Sequence, residues 1–117
     1  MSEGSSLKVY QKWEDMAAYL YVAMKSYPKS ERFTLAADTS RALWEVGTCI
    51  VRANALPAKQ EKRKTIEQAD IALVKLKVLV RMGMKLEFLP MKKYEILSGQ
   101  FTEIGKMFGG WLKSVGY

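Results

Sequence analysis

A chain of 117 residues and 13.3 kDa has room for one domain and one sizeable core, since domains commonly hold about 100 to 150 residues. Its 49% hydrophobic and 26% charged residues suit a soluble globular protein rather than a disordered or membrane one. The net charge of +7, with no histidine to titrate near neutrality, points to polyanionic partners, and the lack of His beside a single Cys49 excludes a Cys/His zinc site, a histidine-based triad and an intrachain disulfide.

In chain order, residues 1–6 are short and polar. They lack the charged start and apolar stretch of a secretory signal, and no later segment approaches the roughly 18 apolar residues of a membrane span. The expectations are a disordered 1–6, a single domain over 7–117, a cytoplasmic location and no membrane partner. The first helix, about 7–26, places Tyr10, Trp13, Ala17, Leu20 and Met24 on one stripe by alternating spacings of three and four. Pro28 ends it. Ser30 is the expected N-cap and Glu31 the first-turn acid of a second helix over about 31–54. Its stripe runs Phe33, Ala36, Ser40, Leu43, Gly47 and Ile50, flanked by Ala37, Trp44 and Val51. Helices can approach closely at the small positions, with Phe33, Leu43 and Trp44 filling the gaps. Leu56-Pro57-Ala58 leads into a third helix over about 60–87, with the stripe Ile66, Ala69, Leu73, Leu76, Val80 and Gly83. Leu89-Pro90-Met91 is the last turn, with Pro90 suited to the first helical position. The fourth helix, about 91–115, carries Tyr94, Leu97, Phe101, Ile104, Phe108, Trp111 and Val115. Four amphipathic segments with short proline-marked turns and no strand patterning predict an all-α, up-down-up-down four-helix bundle.

Several features exceed what one bundle needs. At about 100° per residue, Ile71, Val74, Val78 and Met82 fall opposite the third helix's main stripe. A single bundle cannot bury both faces, so the second face is expected to meet another subunit or a protein partner, unless the fold wraps this helix more completely. Lys77, Arg81 and Lys85 form a basic stripe between those faces, with Asp70 at its edge. Like charges at this spacing repel; phosphates or an acidic protein surface would relieve them, with Arg81 suited to a bidentate contact, and an ordinary solvated face is the other reading. Lys92 and Lys93 sit in the first turn of the fourth helix, where the macrodipole disfavours cations. In an up-down-up-down bundle Lys25, Lys29, Arg32 and Lys85 share that end with only Glu31, Glu87 and Glu95, an anion-friendly surface. The other end gathers Lys59, Lys62, Arg63, Lys64, Arg52, Lys8 and Lys12, diluted by Glu61, Glu14 and Asp15. Neither end carries a sequence-reading motif, so salt-sensitive, sequence-tolerant nucleic-acid binding is expected. Ser98, Thr102, Gly105, Gly109 and Gly116 flank the fourth helix's aromatic stripe. Either a close neighbouring helix or subunit uses Gly105 and Gly109, or Gly109 and Gly110 make room for Trp111. Tyr10, Trp13, Trp44 and Trp111 are expected in the core rather than as base-stacking platforms, and Cys49 as a small buried residue.

Catalytic constellations are missing. Glu14 and Asp15 are adjacent and point to different sides of a helix, there is no Gly-rich phosphate loop, and a Glu-x-x-His metal motif is impossible without His. The chain is expected to be no enzyme and to carry no metal or cofactor.

Two stretches, Tyr27-Pro-Lys-Ser-Glu-Arg-Phe33 continuing through Arg41-Ala-Leu-Trp-Glu-Val46, and Glu103-Ile-Gly-Lys-Met-Phe-Gly-Gly-Trp-Leu112, resemble the four-helix-bundle accessory variability determinant (Avd) proteins of diversity-generating retroelements. That family lies within a wider one that includes proteins encoded by intervening sequences in 23S ribosomal RNA genes. The first stretch looks like the wider family and the C-terminal element like the accessory branch. Leu76-Lys-Val-Leu-Val-Arg81 fits the same resemblance, which spans roughly 8–115. It implies a homopentameric barrel of bundles with a basic surface that binds the element's reverse transcriptase and its template RNA or cDNA, supporting error-prone, adenine-directed cDNA synthesis without being a catalyst. It also implies partner contacts at Arg81, Arg32 and Arg41. The alternatives are an intervening-sequence-type bundle that binds nucleic acid without a polymerase partner, or a purely structural oligomer.

Overall fold

The computed structural model describes residues 3–116. Four helices follow one another: α1 (Glu3–Ala23), α2 (Leu35–Ala55), α3 (Lys59–Lys85) and α4 (Met91–Ser114). Each packs against its chain neighbours and α4 closes the ring against α1, which gives the all-α, up-down-up-down bundle, 43 × 24 × 18 Å. Of the expected disordered segment, Met1 and Ser2 lie outside the described residues, while the backbone of 3–6 continues α1. Extending an existing helix fixes one residue per added bond and avoids the cost of a new nucleus.

The prolines act as the sequence suggests. Tyr27 and Leu56 are extended, each ahead of a proline, because a following ring disfavours helical backbone. Pro90 is the N-cap of α4, one position ahead of the one expected for it.

The start of the second helix differs from expectation. Lys29–Glu31 forms a 3-10 turn and α2 begins only at Leu35. Ser30 is therefore no N-cap. Glu31 acts from outside the helix instead, its Oε1 accepting hydrogen bonds from Thr34 Oγ1 at 2.8 Å and from the Leu35 N–H at 3.4 Å. Phe33 lies before the helical register begins and is 84% exposed rather than in the core. Further along, Leu43, Gly47 and Ile50 are buried as expected, joined by Ala42, Val46 and Ala53.

Trp44 was expected to fill the gap beside the small residues of the second helix, and it does not. The indole of Trp13 occupies that space: a Cβ on Gly47 would stand 2.4 Å from Trp13 Cζ2. The Trp13 Nε1–H donates to the Leu43 carbonyl at 3.1 Å. Trp44, about 100° further round the helix from Leu43, is left 56% exposed and meets Trp13 only edge-on, with centroids 5.6 Å apart. A second ring is seated in the same way just beyond the C-terminal end of α1. Tyr27 is buried against Gly83, where a Cβ would stand 2.1 Å from its hydroxyl. That hydroxyl has no hydrogen-bond partner among the described residues, and burial pushes its pKa above the ordinary value.

The main stripes of α3 and α4 are buried, including Ile66, Leu73, Leu76, Phe101, Phe108 and Trp111, with Tyr94 half-buried. On α1, Val9, Met16 and Ala23 join the expected Trp13, Ala17 and Leu20, with Tyr10 half-buried, while Met24, expected in the same helix, opens a 3-10 turn after it and is half-buried. Helix α3 ends in a Schellman arrangement, with Phe88 N–H bonded to the Gly83 carbonyl at 2.9 Å and Glu87 N–H to that of Met84 at 3.0 Å. Glu87 adopts the left-handed conformation there, φ 63°, a position that favours glycine.

Alanine normally outranks glycine inside a helix by about 1 kcal/mol. At Gly99, where nothing lies within 4 Å of an added Cβ, Gly99→Ala is expected to stabilise by up to that amount. Gly47→Ala and Gly83→Ala are expected to invert the sign and destabilise by about 1–3 kcal/mol through overpacking of Trp13 and Tyr27, as read from urea unfolding midpoints.

Candidate functional site

Three surfaces hold the expected functional residues or lie beside them. The first is the end of the bundle where α1 meets α2 and α3 meets α4. These two connections are tied together: the Ser26 hydroxyl donates toward the carbonyls of Ala23 at 2.9 Å and Phe88 at 3.0 Å, and the Tyr27 ring lies 5.7 Å from that of Phe88. With Tyr27 locked at Gly83, the ends of α1 and α3 share one rigid platform. Lys25, Lys29, Arg32, Lys85 and Lys92 are exposed on it and Lys93 is half-buried. None of the six forms an ion pair among the described residues. Of the carboxylates expected beside them, Glu31 is taken up by the start of α2, leaving Glu87 and Glu95 exposed. The first turn of α4 holds no acidic residue and no side-chain cap.

Among the cations expected toward the opposite end, one is already paired. Lys12 reaches from α1 to Glu103 on α4 at 2.7 Å, and its pKa is raised by that hydrogen bond and the adjoining negative charge.

The second surface is the outer side of α3. Ile71, Val74, Val78 and Met82 form a continuous ridge directed away from the core; Ile71 is 70% exposed and Val78 60%. Half-buried Lys77 and exposed Arg81 run along one flank toward Lys85 at the basic end. Arg41 stands apart from these groups in the middle of α2, where its guanidinium pairs with Asp38. Gly105 on α4 lies 3.8 Å from Leu73 by its added Cβ, whereas Gly109 and Gly110 face open space, so no core side chain occupies the room they leave.

The third surface was missed by sequence reasoning. Two contiguous depressions of about 390 and 630 Å³ run between α1 and α2, sharing Tyr10, Trp13 and Trp44. The signal was present in the doubled apolar content of both helices, Tyr21-Val22 beyond the α1 stripe and Trp44 and Val51 beyond that of α2. Cys49 contributes to none of these surfaces: it is buried and unoxidised, with its thiol pushed up by burial against a smaller opposite effect of Arg52.

The chain matches a protein-family model described as bAvd-like over residues 7–115. The chain belongs to the bAvd-like family. No curated protein matches it. Membership in the bAvd-like family marks a non-enzymatic accessory protein and implies association with a retroelement complex. Among the described residues no group of three or more His, Cys, Asp or Glu could hold a metal ion, and no helix is long and apolar enough to cross a membrane.

The two faces of α3 are expected to respond differently to truncation. Leu76→Ala on the inner face should cost about 2–5 kcal/mol of folding stability. Val78→Ala on the outer face should cost less than about 0.5 kcal/mol, both measured by urea unfolding at the same low protein concentration.

Proposed function

We propose that this chain is the accessory subunit of a diversity-generating retroelement, a homo-oligomer of five copies that holds the element's reverse transcriptase and template RNA or cDNA together. The family match over nearly the whole chain carries this reading. The clustering of Lys29, Arg32, Lys85, Lys92 and Lys93 on one platform supports it, since phosphate contacts from such a surface position nucleic acid without reading bases. Lys77 and Arg81 extend the basic surface along α3, and Arg41 adds a separate contact on α2. In a ring of identical bundles each weak phosphate contact is repeated at high effective concentration, so an extended RNA is held more tightly than by one copy. RNA held in this way bridges the chain to a polymerase that is itself basic. The outer face of α3, with Gly105 and Gly109 on α4, supplies the contacts between copies.

Co-expression with the element's reverse transcriptase and template RNA provides the test. The three components are expected to purify together, and RNA affinity to fall steeply with salt. Combined Arg32→Glu, Lys92→Glu and Lys93→Glu substitutions should weaken binding and flatten the log–log salt slope by about 0.7–0.9 for each phosphate that is no longer neutralised. RNA binding without any polymerase in the complex would favour the intervening-sequence-type reading. An affinity indifferent to salt would contradict phosphate contact altogether.

A further inference from the structure

We infer that Phe33 is a stacking platform for an unpaired base and that Lys25 and Arg32 hold the phosphate beside it, so that this end of the bundle selects single-stranded over duplex nucleic acid. The inference rests on the nucleic-acid reading above and deepens it. Charge alone gives affinity for any polyanion, whereas an aromatic face adds affinity only where a base is free to stack on it.

Phe33 carries the inference. At 84% exposure it is more open than any other large apolar side chain among the described residues, and it contributes nothing to the bundle's own core. Its exposure follows from local chemistry. Glu31 Oε1 accepts from Thr34 Oγ1 and from the Leu35 N–H, which places the start of α2 at Leu35 and leaves Phe33 ahead of the helical register. The turn that presents the ring is closed by three backbone hydrogen bonds. Glu31 N–H donates to the Pro28 carbonyl at 2.9 Å, Arg32 N–H to that of Lys29 at 3.1 Å and Thr34 N–H to that of Glu31 at 3.2 Å. A ring on a backbone fixed in this way loses little further freedom when a base stacks on it.

The surroundings select the partner. Lys29 and Arg32 share the turn with the ring, and both are exposed without an ion pair among the described residues. The carboxylates nearest in the chain are already engaged, Glu31 by Thr34 and Leu35, and Asp38 by Arg41. Arg32 also lines, with Lys25 and Ser40, a depression of about 260 Å³ between the end of α1 and the start of α2. That is less than the roughly 300–1,000 Å³ of a site for a whole small molecule. It suits a single phosphodiester, with two cations and a hydroxyl as donors. Arg32 and Phe33 are consecutive, so their Cα atoms stand about 3.8 Å apart, and a strand whose phosphate meets Arg32 brings the adjoining base to Phe33. A second copy of this end is the wrong occupant, because it would press the same unpaired cations together. In a duplex each base face is already covered by its neighbours, so the ring adds nothing there beyond the strand ends.

Equilibrium binding of the full chain to three probes tests the inference. The probes are a single-stranded RNA free of self-structure and short enough to occupy one copy, the duplex of the same sequence, and inorganic polyphosphate, which has charge and no bases. Phe33→Ala should weaken single-strand binding about 5- to 150-fold, with its salt slope unchanged, and leave duplex and polyphosphate binding as they were. Arg32→Glu should weaken all three and flatten the single-strand log–log salt slope by about 0.7. Phe33→Trp should restore single-strand affinity. Its added emission should be quenched by the single strand beyond any quenching of the three native tryptophans, and not by polyphosphate. Far-UV circular dichroism verifies that each variant is folded. A Phe33→Ala chain that binds the single strand like the wild type, or loses affinity for all three probes equally, would overturn the stacking role while leaving the nucleic-acid reading intact. A Phe33→Ala chain that keeps its RNA affinity and loses only the polymerase would assign the ring to a protein contact and overturn the inference as well. A wild-type chain that binds none of the three probes would sink the nucleic-acid reading itself.

Discussion

The indole of Trp13 and the ring of Tyr27 lie where side chains on Gly47 and Gly83 would otherwise stand, and this shape constraint fixes how the helices meet. A ring in a glycine notch has a single axial position, since sliding by one residue replaces glycine with a larger neighbour. Trp13 therefore sets α1 against α2, and its hydrogen bond to the Leu43 carbonyl fixes its rotation. Tyr27 sets the end of α1 against α3, and Phe88 covers it from the turn beyond.

What those two rings do to the surface matters more for function than what they do to the core. Because Trp13 takes the space beside Gly47, Trp44 is displaced outward and becomes a wall of the α1/α2 groove. Because Tyr27 joins the ends of α1 and α3, cations from both connections of the bundle stand on one platform. Like charges gathered this way cost little because most of them are exposed, where water and salt screen their repulsion, while the Ser26 contact to Phe88 holds the two connections together. The basic surface is thus concentrated at the bundle's end and continues up the flank of the apolar outer face of α3 through Lys77 and Arg81.

The sequence made some of this legible and concealed the rest for physical reasons. Helix number, order and turn positions could be read because prolines and three-four spacing are local signals. The double-sided character of α3 could be read because Ile71, Val74, Val78 and Met82 lie opposite a stripe that is itself unbroken. The start of α2 could not: a proline, a serine and an acid in sequence satisfy the rules for an N-terminus, yet a 3-10 turn intervenes and Glu31 caps from outside the helix. With that start went Phe33, whose apolar side chain alone gave no sign that it precedes the helical register. Trp44 and Trp13 competed for one gap beside Gly47, and choosing between them needs the distance between helices, which no single-helix projection contains. The groove followed from that competition. The basic end was legible from topology alone, whereas the pairing of Lys12 with Glu103 across α1 and α4 was not, because it depends on which helices become neighbours.

In the proposed role, apolar contacts join copies of this bAvd-like chain and basic contacts hold nucleic acid. Apolar association is insensitive to moderate salt, while exposed charge contacts are screened within about 3 Å at 1 M salt. Sedimentation velocity of the purified chain alone, at micromolar concentration in 0.15 M and again in about 1 M sodium chloride, separates the two most directly. One multi-subunit species larger than a dimer, with the same mass in both solutions, is the expected result. A monomer in either solution, or an assembly that dissociates as salt is raised, would contradict it.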